Sequence, residues 1–315
     1  MERQPPLDYS DHRSGRETGR ILYPVLSRRS GGLSLGVNLF PDAKRCSFDC
    51  PYCEVFPFEG ERPFDITDLV AALDAFAGDW TDELGPVRDI SLSGNGEPTL
   101  SPFLEAALDA CASARRAFPM ALGAARLVVI TNSTGFTRPA ARDILERYAR
   151  EEGLEIWAKL DAGGEARFRA MSGTTLDFGA IVGGIGDFAA RAPIVIQTML
   201  CELDGKAPSE ADLDDYSRLL SGIVAAGSRI TQVHLYTQAR PAPLGRTGAL
   251  GNADLLAAAA RIASALRPAA PGLAVRVFGQ AGELAFPEGA PRPAAPGTGP
   301  LPGDDMPTGN KGGTS

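Results

Sequence analysis

Seven short apolar runs of β type recur along the chain: LSLGVNLF, RDISLS, RLVVIT, LEIWAKLD, PIVIQTML, RITQVHLY and LAVRVFG. Helical patterns fill most of the gaps between them. Those patterns are ITDLVAALDAFAGDW, SPFLEAALDACASARRAF, RPAARDILERYAREE, LDFGAIVGGIGDFAA, EADLDDYSRLLSGIVAAG and ADLLAAAARIASALR, the second with Ser101 expected as N-cap and Pro102 as first helical residue. Alternation of this kind implies parallel strands joined by right-handed crossovers. Six units with a seventh strand predict an α/β fold, a partial (βα)6 TIM-type barrel in preference to a flat doubly wound sheet, and in either fold the site lies at the carboxyl ends of the strands. One core domain is expected over 29–286. Residues 1–28 are polar and aperiodic and 287–315 are dominated by Pro and Gly, so both are expected to be flexible tails.

The balance of 31 Lys+Arg against 39 Asp+Glu gives a net charge of −8, which provides no long-range field to draw in a phosphate backbone. No run reaches the roughly eighteen apolar residues needed to span a bilayer, and the N-terminus lacks the apolar stretch of a signal peptide. A cytoplasmic protein with no membrane partner is expected. In that compartment thiols stay reduced, so clustered cysteines read as metal-binding or catalytic more readily than as disulfides.

Three of the five cysteines fall within KRCSFDCPYCEVF, with the spacing C-x3-C-x2-C. Cys46, Cys50 and Cys53 would share one face of a helix, and buried free cysteine is common in cores. Pro51 argues against a helix, since it removes a hydrogen bond and clashes with the preceding turn. A loop after the strand Leu33–Phe40 is expected instead, with its thiols wrapped around zinc or an iron–sulfur cluster. The remaining cysteines, Cys111 and Cys201, and the histidines, His12 and His234, offer no adjacent fourth ligand. Three ligands leave one coordination position open for a small molecule.

Further polar residues fall at successive strand ends. In SGNGEPTL, Asn95-Gly96 reads as a hairpin turn, but Glu97-Pro98 and a helix follow where a return strand would be needed. A Gly-rich turn lets backbone approach a ligand, and a carboxylate there can pair with an ammonium group. TNSTG, from Thr131 to Gly135, reads equally as a polar strand-to-helix turn. In EIWAKLDA, Trp157, Lys159 and Asp161 share a face, so either the two charges pair with each other inside the barrel or they meet a ligand. Gln197 lies within the apolar run PIVIQTML, and HLYTQARPAP places Tyr236 and Arg240 at the end of the sixth strand, as substrate-contacting or as rim residues.

The cysteine segment resembles the cluster loop of the radical S-adenosylmethionine enzymes, with Tyr52 as the aromatic residue before the last cysteine. The resemblance implies a radical S-adenosylmethionine core in which Cys46, Cys50 and Cys53 hold a [4Fe–4S] cluster. S-adenosylmethionine is the cosubstrate, cleaved reductively to a 5′-deoxyadenosyl radical that abstracts hydrogen. SGNGEPTL looks like the family's GGE element, with Asn95 in place of its first glycine and with Gly96 and Glu97 at the methionine amino group. TNST, with Asn132 and Ser133, is similar to its TNG/TNS turn. Lys159 would then meet the cofactor carboxylate, Asp161 the ribose, and Gln197, Tyr236 and Arg240 the substrate. The motif order resembles that of the iron–sulfur oxidoreductases related to the wyosine synthases, over about residues 30–245, which implies transfer RNA as one substrate class. The chain departs from that branch in having no cysteines in 1–45 for a second cluster and in its acidic balance. A radical activase or peptide-modifying enzyme, a non-catalytic metal-binding regulator and a small-molecule substrate are the other readings. An electron donor such as flavodoxin or ferredoxin is implied in any enzymatic case.

Overall fold

The computed structural model describes residues 20–286. Their order is β1 (Leu22–Ser27), β2 (Gly32–Val37), α1 (Ile66–Asp79), β3 (Val87–Leu92), α2 (Leu104–Ala117), β4 (Arg126–Thr131), α3 (Pro139–Glu151), β5 (Glu155–Lys159), α4 (Glu165–Ser172), α5 (Phe178–Ala189), β6 (Ile194–Met199), β7 (Cys201–Leu203), α6 (Glu210–Ala225), β8 (Ile230–Tyr236), β9 (Thr247–Ala249), α7 (Asn252–Leu266), β10 (Ala274–Phe278) and β11 (Glu283–Leu284). The main sheet runs β1-β2-β3-β4-β5-β6-β8-β10-β11, and β7 pairs with β9 outside it. From β2 to β10 every pairing is parallel; β1 and β11 are antiparallel edges.

Strand order never reverses, so each crossover helix falls on the same side and the sheet curls into a partial barrel without the switch point of a doubly wound sheet. Leu35, Ile90, Val129, Ile156, Ile196 and Val233 face the helices and pack against residues such as Leu73 of α1, Leu108 of α2 and Leu220 of α6. The opposite face carries a small apolar cluster of Val128, Trp157 and Val195 at its floor. No helix among the described residues is long and apolar enough to cross a membrane.

Two expectations are corrected. Residues 22–27, assigned to a flexible tail, form β1, which pairs with β2 from Leu22↔Val37 to Ser27↔Gly32. Pro24 argues against a strand interior but is tolerated at an edge, where only one side of the ladder is paired. Residues 1–19 of that tail and all of the C-terminal one lie outside the described residues. Ser101 does not cap α2: its Oγ accepts from Phe103 N at 3.2 Å, and the helix begins three residues later, after a short 3-10 turn at Pro98–Leu100.

Gly36 makes the β1 edge possible. A Cβ there would stand 2.0 Å from the Tyr23 ring, which is buried and shares a 2.9 Å hydrogen bond with Ser93 Oγ. Gly36→Ala is expected to displace Tyr23 and lower unfolding stability by about 1–3 kcal/mol in urea, the usual cost of overpacking. An unchanged midpoint and slope would show that β1 is not held by this contact.

Candidate active site

The cysteine loop occupies the connection from β2 to α1, at the carboxyl end of the sheet, and is fastened to the turn after β3. Asn38, just after β2, accepts from Phe40 N and Asn95 N at 3.1 Å each. Asn95 Nδ2 donates to Phe40 O at 3.1 Å, Arg45 N donates to Asn95 O at 3.1 Å, and Glu97 N donates to Arg45 O at 2.9 Å. Gly94 has φ +119°, and a Cβ on Gly96 would lie 2.0 Å from Arg45 O, so the turn needs glycine at both places. Asn95, where the resemblance has a glycine, holds the loop in place.

Glu97 is the hub of the neighbouring turns. Its Oε1 accepts from Thr99 N at 3.1 Å, Thr99 Oγ1 at 2.7 Å and Thr131 Oγ1 at 2.7 Å, and its Oε2 from Asn132 N at 2.6 Å. Burial raises its carboxyl above the ordinary value, although these donors pull the other way. Asn132 extends the network to the thiols: Nδ2 donates to Ser47 Oγ at 2.8 Å and to Cys46 Sγ at 3.5 Å. Ser133 adopts a left-handed backbone, φ 72°, with its Oγ donated to Lys159 O at 3.0 Å.

The charges of the β5 end pair with each other. Lys159 Nζ lies 3.2 Å from Asp161 Oδ2 and donates to Tyr236 Oη at 2.5 Å, while Tyr52 Oη donates to Asp161 Oδ2 at 2.5 Å and Met199 N to Asp161 Oδ1 at 2.7 Å. Lys159 also lies between the faces of Tyr52 and Tyr236, 4.8 and 5.0 Å from their centroids. Burial pulls its ammonium down, but Asp161 and Tyr236 outweigh this and hold it above the ordinary value. Burial, then Asp161, pushes the Tyr52 phenol well up.

A cavity of about 370 Å³ opens over these groups, within the range of small-molecule sites. Of the residues expected from sequence, Cys46, Cys50, Cys53, Tyr52, Gly96, Glu97, Asn132, Lys159, Tyr236 and Arg240 all line it. Arg240 forms an ion pair with Glu54, tying the end of the cysteine loop to the residues after β8. Ser133, Asp161 and Gln197 are not on its wall. Gln197 is fully buried beneath it: Oε1 accepts from Arg29 Nη1 at 2.6 Å and Nε2 bonds His234 Nδ1 at 2.7 Å, so it touches the cavity only through Arg29. Sequence reasoning missed Arg28 and Arg29, on the turn from β1 to β2, and Gln238, all of which are on the wall. Arg28 ends the segment read as tail and Arg29 opens the expected core, neither within a motif; Gln238 sits inside the quoted HLYTQARPAP without a spacing that singles it out.

The donor set suits an iron–sulfur cluster with a bound polar molecule. Three thiols of one loop face the same cavity, and Ser91 Oγ and both ends of the Gln238 amide are buried there without a hydrogen-bond partner. Among the described residues no three His, Cys, Asp or Glu side chains are already gathered as a metal site. Burial pushes the Cys50 thiol up to about 12, so a cation is needed to hold it as thiolate.

The comparisons place the fold. The chain aligns with a radical SAM methyltransferase from Sphaerobacter thermophilus at TM-score 0.53 and 15% identity, over 82% of this chain and 69% of that one. It aligns with Streptococcus suis SuiB, solved bound to S-adenosylmethionine, at TM-score 0.53 and 13% identity, over 80% and 52%. The fold is therefore that of radical S-adenosylmethionine enzymes, a partial TIM barrel. Among curated proteins, UPF0026 proteins of Helicobacter pylori are similar: 32% identity over 129 residues in strain ATCC 700392 / 26695 and 31% over 129 residues in strain J99 / ATCC 700824. Each match spans 41% of this chain and 39% of the relative. No family model matches.

Proposed function

We propose that the protein is a radical S-adenosylmethionine enzyme in which Cys46, Cys50 and Cys53 hold a [4Fe–4S] cluster at the carboxyl end of the barrel. The observation that carries this reading is the convergence of all three thiols, the Gly96-Glu97 turn, Asn132 and Lys159 on one cavity. When bound and reduced by an electron donor of the flavodoxin or ferredoxin kind, the cluster supplies homolysis of the S-adenosylmethionine sulfonium to a 5′-deoxyadenosyl radical. The chain's own part is positional. Backbone at Gly96 admits close approach of the methionine end, and Glu97 Oε2, which accepts one bond from Asn132 N, keeps capacity for an ammonium proton. Lys159, fixed by Asp161 and two tyrosines, presents a permanent cation to a carboxylate. Asp161 acts through Lys159 and Tyr52, a more indirect role than ribose contact. The barrel wall around Trp157 and Tyr236 keeps water from the radical.

Anaerobic reconstitution with iron and sulfide, reduction and addition of S-adenosylmethionine should give 5′-deoxyadenosine. Stoichiometric zinc without iron, and no nucleoside product, would reject the radical reading and favour a metal-binding regulator. With bulk transfer RNA, small proteins and small metabolites as separate substrate pools, only the right one should raise cleavage above the uncoupled rate.

A further inference from the structure

Arg28 and Arg29 enter the cavity from the turn joining β1 to β2. Arg28 crosses the open side of the barrel, donating from Nη1 to Gly279 O and from Nη2 to Thr237 O at 3.3 Å, at the ends of β10 and β8. Arg29 is held by Gln197 Oε1 at 2.6 Å, with its guanidinium 4.7 Å from the Tyr236 centroid and 5.7 Å from that of Trp157. Behind Gln197 the chain of bonds continues through His234 to Gln232 Oε1 at 2.8 Å. Burial, followed by the field of nearby Arg276, Arg29 and Arg126, keeps that imidazole well below its ordinary value and so neutral. Gln197 therefore acts as a positioning residue, fixing one guanidinium against two rings.

The charges on this wall do not balance. Lys159 has Asp161 and Arg240 has Glu54, whereas neither Arg28 nor Arg29 forms an ion pair among the described residues. Burial, and the neighbouring Arg29, lower the Arg28 guanidinium to about 10. Each guanidinium has five N–H donors; the bonds above use two of Arg28 and one of Arg29. Beside them Gln238 is only 4% exposed, and its Nε2 and Oε1 are both without a partner. Two part-buried like charges and an orphaned amide cost stability that an anion would return through charge-assisted, forked hydrogen bonds.

We propose that Arg28, Arg29 and Gln238 form an oxyanion subsite, and that the substrate carries a phosphate or carboxylate group bound there. Calling the ligand a substrate rests on the radical enzyme reading; the anion site itself does not. The test uses the full chain as purified, without cluster, titrated calorimetrically with inorganic phosphate and, separately, acetate against sodium chloride of equal ionic strength. Saturable binding of at least one anion is expected. Tighter phosphate assigns a phosphorylated compound, and tighter acetate a carboxylic acid. Since Arg28 also joins the two sheet edges, the decisive variant is Arg29→Gln, expected to weaken binding about tenfold to a hundredfold, the equivalent of one or two charge-assisted bonds. Arg29→Lys should recover part of this, and Arg62→Gln, at an exposed arginine paired with Asp68, should behave as wild type. Absence of saturable binding, or Arg29→Gln within threefold of wild type, would overturn the proposal. So would displacement of the anion by S-adenosylmethionine, which would give the arginines to the cofactor's carboxylate. Because the anion titration needs no cluster, its failure leaves the cofactor reading standing, and failure of cofactor cleavage leaves the anion result standing.

Discussion

Cys46→Ala, Cys50→Ala and Cys53→Ala are each expected to abolish both the iron–sulfur absorbance and 5′-deoxyadenosine formation, while Cys111→Ala and Cys201→Ala retain both. Only the first three thiols face the cavity. Cys111 is fully buried on α2 among the leucines of the main core, and Cys201 is fully buried in a smaller cluster with Met171, Met199 and Tyr236. Removing either sulfur should cost about 1 kcal/mol of packing and leave the chemistry intact. Cys46 is exposed, so its loss should leave the unfolding midpoint where it was. That separates loss of a ligand from loss of the fold. With only three thiolates available, two ligands are too few, and the effect should be all or none. A cluster that survives any one of the three substitutions would reassign the loop.

The parallel core was readable because both of its periodicities are strong. Runs such as RLVVIT and PIVIQTML are apolar on both faces, as strands covered by helices outside and a filled barrel inside must be. The cysteine spacing and the Gly96-Glu97 turn were readable for a different reason: their residue types have few structural uses in that order. Three things could not be read. β1 contains a proline, and its edge position emerges only once β2 is placed. The partners of Lys159 and Asp161 are set by Tyr52 and Tyr236, 107 and 77 residues away from Lys159 in sequence, so same-face alternation alone could not decide between a mutual pair and ligand contacts. The two cavity arginines arrive from that same unrecognised edge, carried across the barrel mouth by a turn that has no motif of its own.

Glu97→Ala is expected to destabilise the protein by about 3–5 kcal/mol, and for this reason it will not report cleanly on cofactor affinity. The resemblance implies a role for this residue at the methionine amino group, yet it accepts four hydrogen bonds from two successive strand-end turns. Alanine would leave the buried N–H groups of Thr99 and Asn132 without acceptors, at about 1–3 kcal/mol each, although the two hydroxyls can turn elsewhere. It would also loosen the bond from Asn132 to Ser47 and hence the approach of Cys46 to the turn. Glu97→Gln keeps the shape and can still accept at Oε1, but its amide would confront Asn132 N–H with a second donor, so a smaller loss of about 1–3 kcal/mol is expected. Titration separates the two variants from wild type further. Because burial raises the folded carboxyl, its linked contribution to stability is fully present below the unfolded value and is lost as pH rises through the folded one; neither variant has this slope. Urea unfolding of the cluster-free chain at several pH values measures both effects. A loss below about 1 kcal/mol for Glu97→Ala would show that the turns hold without it, and would return Glu97 to the cofactor as its principal partner.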